Sequence, residues 1–314
     1  MISRTLMAAT ALALICASAL PLAAKNTAIL IGIGEYPHIP ADKQLDAPVT
    51  DALAMRDFLI SENWFAESEI VTLLNSAASA DRIAQEIVVA AKASEPGDKI
   101  LIYFSGHGGR IEDKSGDETD GFDEFFYASD FNAPKAETEG RVFPGLILDY
   151  WMAEILDSLE GRDVTVIVAA CHAGTSTRGL FDEEPGTHAR GLSLVPAHDI
   201  SRDRVQTARE TSFVERKGGA HKVWAAAAPE QYAWESNGRG IFTTLFIEGL
   251  KQRKAATNGN GIITSAELLD HTRSGAEAFC SQSRKCSKSG SGFTPGYEGA
   301  PDDVVLTYVS GAGQ

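Results

Sequence analysis

The chain has 314 residues, of which 28 are Lys or Arg and 43 are Asp or Glu, for a formal net charge of −15 at pH 7. An acidic surplus of this size disfavours nucleic acid and anionic membranes as partners, and it also serves plain solubility. The length is sufficient for one large α/β domain or for two small ones.

Residues 1–24 have the pattern of a secretory signal peptide. A start that contains Arg4 precedes an apolar run over residues 6–15, and small residues follow up to Ala24. We expect cleavage after Ala19 or Ala24, with export of the mature chain to the periplasm or the medium. No later stretch is long enough to span a bilayer, so we expect no membrane insertion of the mature chain.

Apolar, β-branched runs alternate with helical patterns along the rest of the chain. The predicted strands cover residues 27–33, 69–74, 99–104, 125–128, 163–170, 222–228 and 303–309. The predicted helices cover residues 49–60, 79–93, a segment opened by Pro144, 240–250 and 264–279. This alternation predicts an α/β fold with a mostly parallel, doubly wound sheet, helices on both of its faces and right-handed crossovers.

Two of the helices are predicted from apolar side chains at helical spacing. The first is expected to bury Val49, Leu53 and Ile60 on one face. The helix after Pro144 is expected to bury a stripe that consists of Leu148, Met152, Ile155 and Leu159. Both faces are interpreted as parts of the hydrophobic core.

Three polar segments are interpreted as loops. The acidic stretch 112–124 is predicted to be solvated, and the NGNG sequence at 258–261 is a turn, because it lacks the regular acidic ligands of a calcium loop. Residues 175–220 show no period, which is typical of a linker or a functional loop.

The predicted strand 163–170 ends directly before Cys171, and the strand 99–104 is followed by Ser105-Gly106-His107-Gly108. Open α/β sheets bind ligands at the carboxyl ends of their strands. If the two strands are neighbours, Cys171 and His107 emerge side by side as a thiol nucleophile and its base. The backbone amides of Gly108 and Cys171 are then natural donors to an oxyanion.

Each of these two residues also has a simpler interpretation. A single buried Cys is more often a small core residue, and a His in a glycine-rich loop often has no chemical role. Their joint position at the ends of two similar strands favours the catalytic hypothesis.

The two cysteines near the C-terminal end, Cys280 and Cys286, lie close together in a Ser- and Lys-rich segment. In an oxidising compartment such a pair predicts a local disulfide. The neighbourhood offers too few further ligands for a zinc site.

Several of these motifs resemble those of the caspase-like cysteine peptidases, and most closely those of the metacaspases and their bacterial relatives. YFSGHG at 103–108 is similar to the family's histidine motif, ACHAG at 170–174 to its nucleophile motif and DETDGFDE at 117–124 to the acidic segment between them. AAAAPEQYAWE at 225–235, GIFT at 240–243 and GIITSAEL at 261–268 match the family's second, smaller segment.

The resemblance implies a caspase-hemoglobinase fold and an acyl-enzyme endopeptidase that uses a Cys171–His107 dyad without an obligatory third member. It also implies cleavage after Arg or Lys, with Asp51 and Ser105 in the substrate pocket. The pocket Asp expected two residues before the nucleophile is Ala169 here, which weakens the expected basic preference.

The resemblance also raises the question of calcium activation. Asp149 partly matches one calcium-binding position, and Arg178 stands where a further acidic residue is expected. Because calcium needs several oxygen ligands, the sequence predicts weak or absent calcium binding, no confident metal ligand and no required cofactor.

The resemblance divides the chain into a signal peptide (1–24), a large segment that carries the dyad (25–176), a flexible linker (177–220) and a small segment that completes the same domain (221–314). Self-cleavage after Arg178, Arg190 or Arg216 in the linker is a hypothesis. The expected substrate is a peptide or protein, and the expected oligomeric state is a monomer. The alternatives are a catalytically weak caspase-fold module that binds peptides, and a hydrolase of non-peptide acyl compounds.

Overall fold

The computed structural model describes residues 25–112, 122–132, 145–148, 152, 156, 158–170, 186–192 and 221–308. Its strands are β1 (Thr27–Gly32), β2 (Ile70–Leu74), β3 (Lys99–Ser105), β4 (Gly108–Glu112), β5 (Phe122–Tyr127), β6 (Leu146–Leu148), β7 (Asp163–Ala169), β8 (Thr187–Ala189), β9 (Lys222–Ala225), β10 (Trp234–Ser236), β11 (Arg239–Gly240), β12 (Ile262–Thr264), β13 (Gly296–Glu298) and β14 (Val304–Thr307).

The α-helices whose bounds the described residues give are α1 (Pro48–Ser61), α2 (Ala80–Ala93), α3 (Ile241–Lys251), α4 (Ser265–Gln282) and α5 (Arg284–Ser289). Three short 3-10 helices cover Ala41–Lys43, Glu67–Glu69 and Asn75–Ala77. Among the described residues, no helix combines the length and the apolar character that a membrane crossing requires.

A six-stranded sheet in the order β13-β9-β7-β3-β1-β2 forms the centre of the fold, and only the β13–β9 pair in it is antiparallel. Alternate residues of its strands enter two cores: Ile29 and Ile31 pack on the side of α2, while Ala28 and Leu30 pack on the side of α1, α3 and α4. Burial on both faces explains why these strands are continuous apolar runs. The predicted mostly parallel sheet with helices on both faces is confirmed.

Helix α2 forms as its sequence predicts. Ser79 caps its N-terminus by accepting a hydrogen bond from the Arg82 amide at 3.3 Å, and Ile83, Ile87 and Ala90 are buried. Helix α4 begins with the predicted capping box, in which the Thr264 hydroxyl accepts from the Glu267 amide and the Glu267 carboxylate accepts from the Thr264 amide.

The predicted buried face of α1 is wrong, because Leu53 is 41% exposed. The helix instead buries a face that includes a carboxylate and consists of Pro48, Asp51, Ala52, Met55, Phe58 and Leu59. The apolar residues of α1 are distributed around its whole circumference, so its sequence alone does not indicate which side meets the sheet.

The helix predicted after Pro144 begins later than expected. Leu146–Leu148 is the strand β6, which pairs with β5 through Ile147 and Phe126, so Leu148 does not belong to a helical stripe. Met152 and Leu156 are helical and buried. Leu159 is buried too but lies in a turn, and Ile155 lies outside the described residues.

Residues 187–189, within the segment predicted to be a linker without regular structure, form the strand β8. It is the outer strand of a three-stranded sheet in the order β11-β10-β8, where it runs antiparallel to β10. The strand has only three residues, and its formation depends on pairing with a distant partner. Its sequence therefore carries no periodic signal.

A disulfide joins Cys280 at the end of α4 to Cys286 in α5, with their Cα atoms 4.9 Å apart. Cys286 is completely buried. The bond closes a turn between the two helices, and it fixes the position of Lys285, the residue directly before Cys286.

Candidate active site

Strands β3 and β7 are parallel neighbours, which is the condition on which the hypothesis of a Cys171–His107 pair depends, and their last paired residues are Ser105 and Ala169. His107 stands two residues after Ser105, and Cys171 stands two residues after Ala169. Cys171 lies outside the described residues, and so does Asp149. Among the residues that the structure does describe, no cluster of three or more His, Cys, Asp or Glu side chains could hold a metal ion.

The imidazole of His107 is almost completely buried, with 2% of the residue exposed. Its Nε2 lies 2.7 Å from the Lys43 carbonyl oxygen and its Nδ1 lies 3.0 Å from the Arg190 carbonyl oxygen. Its backbone amide donates to the Tyr36 hydroxyl at 2.9 Å. Burial lowers the pKa of His107 to about 4, with the nearby charges of Arg190 and Lys43 adding to the effect and the two carbonyls opposing it.

Both partners are carbonyl oxygens, so a neutral imidazole, which carries one N–H group, can donate to only one of them. We place the proton on Nε2, which makes the shorter contact, so that it donates to the Lys43 carbonyl. The unprotonated Nδ1 then faces the Arg190 carbonyl. Lys43 therefore orients His107 through its backbone. A residue that acts through its carbonyl oxygen leaves no side-chain signal in the sequence, and the sequence analysis missed it.

A buried carboxylate, that of Asp51, lies beneath the ends of these strands with 3% of the residue exposed. Its Oδ1 accepts the Gly240 amide at 2.9 Å, and its Oδ2 accepts the Ser105 hydroxyl at 3.1 Å. A Cβ atom at position 240 would collide with Asp51 Oδ2, so the backbone can approach this carboxylate because the residue is glycine. The structure thus brings together Asp51 and Ser105, the two residues that the family resemblance places in the substrate pocket.

The side chain of Arg190 enters this pocket and is 1% exposed. Its Nη2 donates to Asp51 Oδ2 at 2.5 Å, and its Nη1 donates to the Ser105 hydroxyl at 2.9 Å and to the Ala169 carbonyl at 2.7 Å. Its Nε lies 3.3 Å from Oε2 of Glu235. Burial opposes the charge on Arg190, but the two carboxylates raise its pKa above the ordinary value.

The backbone around Arg190 is held on both sides. Its amide donates to the Ala233 carbonyl at 3.0 Å, and its carbonyl accepts from the Gly108 amide at 3.2 Å. The Leu192 amide donates to the Gly108 carbonyl at 3.1 Å, so Gly191 and Gly108 form a parallel β-bridge and the chain runs alongside the histidine loop. The Arg190 carbonyl oxygen thereby contacts both the amide of Gly108 and Nδ1 of His107.

Further contacts hold the residues before Arg190. Strand β8 pairs with β10 in the register Ala189 to Trp234 and His188 to Glu235. The Lys285 ammonium donates to the Thr187 carbonyl at 2.7 Å. The segment is bound along its backbone, as an extended peptide is bound at the edge of a sheet.

The structure therefore brings together four of the predicted site residues, His107, Gly108, Asp51 and Ser105. The sequence analysis did not identify Glu235 or Gly240 individually, although both lie in the stretches 225–235 and 240–243 that it matched to a family. Arg190 was considered only as a cleavage point and not as the occupant of a pocket.

The family model described as Peptidase_C14, caspase domain, matches residues 25–289. Metacaspase-1 of Pyricularia oryzae is 29% identical over 187 residues, which are 55% of this chain and 44% of that protein. Metacaspase-1 of Saccharomyces cerevisiae is 29% identical over 176 residues, 51% of this chain and 38% of that protein. The chain thus spans less than half the length of these curated relatives.

Two solved structures share the fold. A protein of Geobacter sulfurreducens superposes with a TM-score of 0.60 at 20% identity, over 88% of this chain and 94% of that one. Caspase-1 of Spodoptera frugiperda superposes with a TM-score of 0.52 at 13% identity, over 93% of this chain and 92% of that one. With the family match over most of its length, the chain belongs to the caspase domain family, Peptidase C14.

Proposed function

We propose that this protein is a cysteine endopeptidase that cleaves after basic residues, with Cys171 as its nucleophile and His107 as its base. One observation carries the proposal. Arg190 places its guanidinium in a pocket that contains a carboxylate and its carbonyl oxygen 3.2 Å from the Gly108 amide, beside His107. A peptide substrate must make the same two contacts, one for recognition and one for stabilisation of the developing oxyanion.

The register of β3 and β7 supports the assignment of the nucleophile. Cys171 follows Ala169 by the same two residues by which His107 follows Ser105, and Ala169 and Ser105 are paired. With its proton on Nε2, His107 takes the thiol proton of Cys171 on Nδ1. The resulting thiolate attacks the carbonyl carbon, and the amides of Gly108 and Cys171 hold the oxyanion.

Collapse of the tetrahedral intermediate breaks the C–N bond, and Nδ1 of His107 returns its proton to the leaving amine. A thioester between Cys171 and the carbonyl carbon remains. Water then attacks the thioester with His107 as its base, which releases the new carboxylate and restores the thiol. The pKa of about 4 keeps His107 in its base form at neutral pH.

Basic specificity rests on Asp51. A buried carboxylate that already holds two donors, the Gly240 amide and the Ser105 hydroxyl, has its remaining acceptor capacity directed at the incoming cation. We expect Asp51→Ala to abolish cleavage after Arg and Lys. Unchanged cleavage of Arg peptides by this variant would remove Asp51 from the pocket.

We propose that the enzyme cleaves its own Arg190–Gly191 bond, since the Arg190 carbonyl oxygen contacts both the Gly108 amide and Nδ1 of His107. The test is mass spectrometry of the purified full chain at intervals after expression. Wild type is expected to accumulate fragments that end at Arg190, and Cys171→Ala is expected to stay intact. An uncut wild type, or equal cleavage of both proteins, contradicts the proposal.

The same contacts also suit a second candidate, a peptide-binding module with little catalysis, because Arg190 and its neighbours are bound in an uncleaved chain. Activity of wild type on external Arg peptides that Cys171→Ala lacks decides against the module. The antiparallel pairing of β8 with β10 favours a peptide over a small acyl compound as the ligand.

Export is the further part of the proposal. Residues 1–24 carry the signal pattern, and a disulfide between Cys280 and Cys286 is suited to an oxidising compartment. N-terminal sequencing of the exported protein tests this, with cleavage expected after Ala19 or Ala24. Full-length protein retained in the cytoplasm contradicts it.

A further inference from the structure

We infer that Glu235 is a specificity-determining residue of the Arg190 pocket, and that it makes the enzyme select arginine over lysine as the residue before the cleaved bond. The inference rests on the proposed function and assigns the pocket a second carboxylate, which comes from strand β10. The pocket therefore has a second carboxylate although Ala169 stands where the family resemblance leads one to expect an Asp.

The carboxylate of Glu235 is completely buried and is held in one orientation. Its Oε1 accepts the Asp46 amide at 2.8 Å. Among the described residues, neither its Oε2 nor Nε of Arg190 has a hydrogen-bond partner, and the two atoms lie 3.3 Å apart. A buried carboxylate oxygen in this position has a large desolvation cost, which a cation in the pocket offsets.

The acceptors around the guanidinium are divided among its nitrogens. The Asp51 carboxylate accepts a hydrogen bond from Nη2, and the Ser105 hydroxyl and the Ala169 carbonyl accept hydrogen bonds from Nη1. Glu235 faces Nε, which lies one atom closer to the backbone than the carbon that joins the three nitrogens. The pocket therefore matches a planar fork with charge on more than one side.

Lysine matches only part of this arrangement. Its single ammonium at the end of an alkyl chain reaches the Asp51 end of the pocket, but it presents methylene groups where arginine presents Nε. The Oε2 atom of Glu235 would then be buried against hydrocarbon without a counter-charge. The free energy needed to bury this oxygen without a counter-charge is the physical reason why arginine binds better than lysine.

The experiment compares two fluorogenic peptides that follow the chain's own sequence, Thr-His-Ala-Arg and Thr-His-Ala-Lys, each with a coumarin leaving group. We measure kcat/KM of both peptides for wild type, Glu235→Gln and the control Glu230→Gln, which changes an exposed carboxylate nearby. Occupancy of the pocket by the internal segment lowers both values by the same factor, so the Arg-to-Lys ratio remains a clean measurement.

Wild type is expected to prefer the Arg peptide by roughly 100-fold. Glu235→Gln is expected to lower kcat/KM for the Arg peptide about 30-fold or more and to change that of the Lys peptide by less than about threefold. Glu230→Gln is expected to keep the wild-type ratio. The inference is overturned if wild type cleaves the Arg peptide and Glu235→Gln has the same Arg-to-Lys ratio of kcat/KM as wild type.

A second measurement does not depend on catalysis. In the Cys171→Ala chain, we measure the melting temperatures of Arg190→Lys, Glu235→Gln and the double variant as a double-mutant cycle. The double variant is expected to melt above Arg190→Lys alone, because Gln removes the uncompensated charge. The inference is overturned if the melting temperature of the double variant is equal to or lower than that of Arg190→Lys. If wild type cleaves neither peptide in the first experiment, only the proposed function is overturned.

Discussion

The carbonyl oxygen of Lys43 lies 2.7 Å from Nε2 of His107, on the opposite side of the ring from Nδ1 and the Arg190 carbonyl. The contact fixes the ring, and it assigns the one proton of the neutral imidazole to the nitrogen that is remote from the proposed chemistry. The neutral state itself results mainly from burial, which lowers the pKa of His107 to about 4.

The lowered pKa predicts a specific dependence of stability on pH. The unfolded chain binds a proton at His107 near pH 6.5 and the folded chain only near pH 4, so the free energy of unfolding falls as the pH drops through this window. We expect the loss to be on the order of 3 kcal/mol. Urea unfolding of Cys171→Ala and Cys171→Ala/His107→Gln between pH 4 and 7 checks it. Equal pH slopes in the two proteins contradict the prediction.

Arg190→Gln is expected to prevent the cut after residue 190, because Gln lacks the charge that Asp51 and Glu235 bind. Cleavage of an external Arg peptide should persist, since the pocket itself is unchanged. Arg178→Gln is the control and should still be cut after residue 190. Mass spectrometry and a peptide assay on the same samples measure both effects, and a cut after residue 190 in the variant refutes the assignment.

Gly240→Ala is expected to exclude arginine from the pocket. A Cβ atom at this position would collide with Asp51 Oδ2 and would lie 2.5 Å from Nη2 of Arg190. We expect kcat/KM for Arg peptides to fall about 100-fold, since a buried charged pair would be separated. Gly296→Ala is the matched control, because its nearest neighbour would be Ala225 Cβ at 4.0 Å. Equal activities of the two variants would contradict the prediction.

Reduction of the disulfide is expected to lower the stability of the protein by about 2 kcal/mol, the amount expected for a short closed loop. The Cys280–Cys286 bond joins α4 to α5, and α5 carries the Lys285 ammonium that holds the Thr187 carbonyl. Denaturant unfolding with and without a phosphine reductant measures the effect. The Cys280→Ser/Cys286→Ser variant should match the reduced protein and should not respond to the reductant.

Chelation of calcium is expected to leave activity unchanged. The chain has the single Asp149 where the family resemblance implies a pair, and Arg178 where an acidic residue is expected, so we propose that no calcium is required. Assays of an Arg peptide with excess EDTA and with millimolar calcium check this. An increase of tenfold or more with calcium would show that the chain binds it functionally.

The sequence was sufficient to predict the central sheet, because a buried parallel strand is an uninterrupted apolar run. It did not show that the strands before His107 and Cys171 are neighbours, and this remained a condition of the hypothesis until the structure paired them. It was insufficient wherever the partner of a residue is distant. Residues 187–189 become a strand only by pairing with residues 234–236. Glu235 resembles a solvated acid until the fold buries it, and Leu53 stays exposed because α1 has apolar residues on every side.

Strand β8 also has a consequence for what happens after hydrolysis. It covers the outer edge of β10, and without it the small sheet would be reduced to the two-stranded ribbon β10–β11, which is marginally stable alone. If β8 dissociated, the backbone N–H and C=O groups of β10 that pair with it would lose their hydrogen-bond partners. Under the proposed function, a substrate peptide that pairs with β10 would complete the same sheet, so that substrate binding and the local folding of β10 and β11 would be coupled.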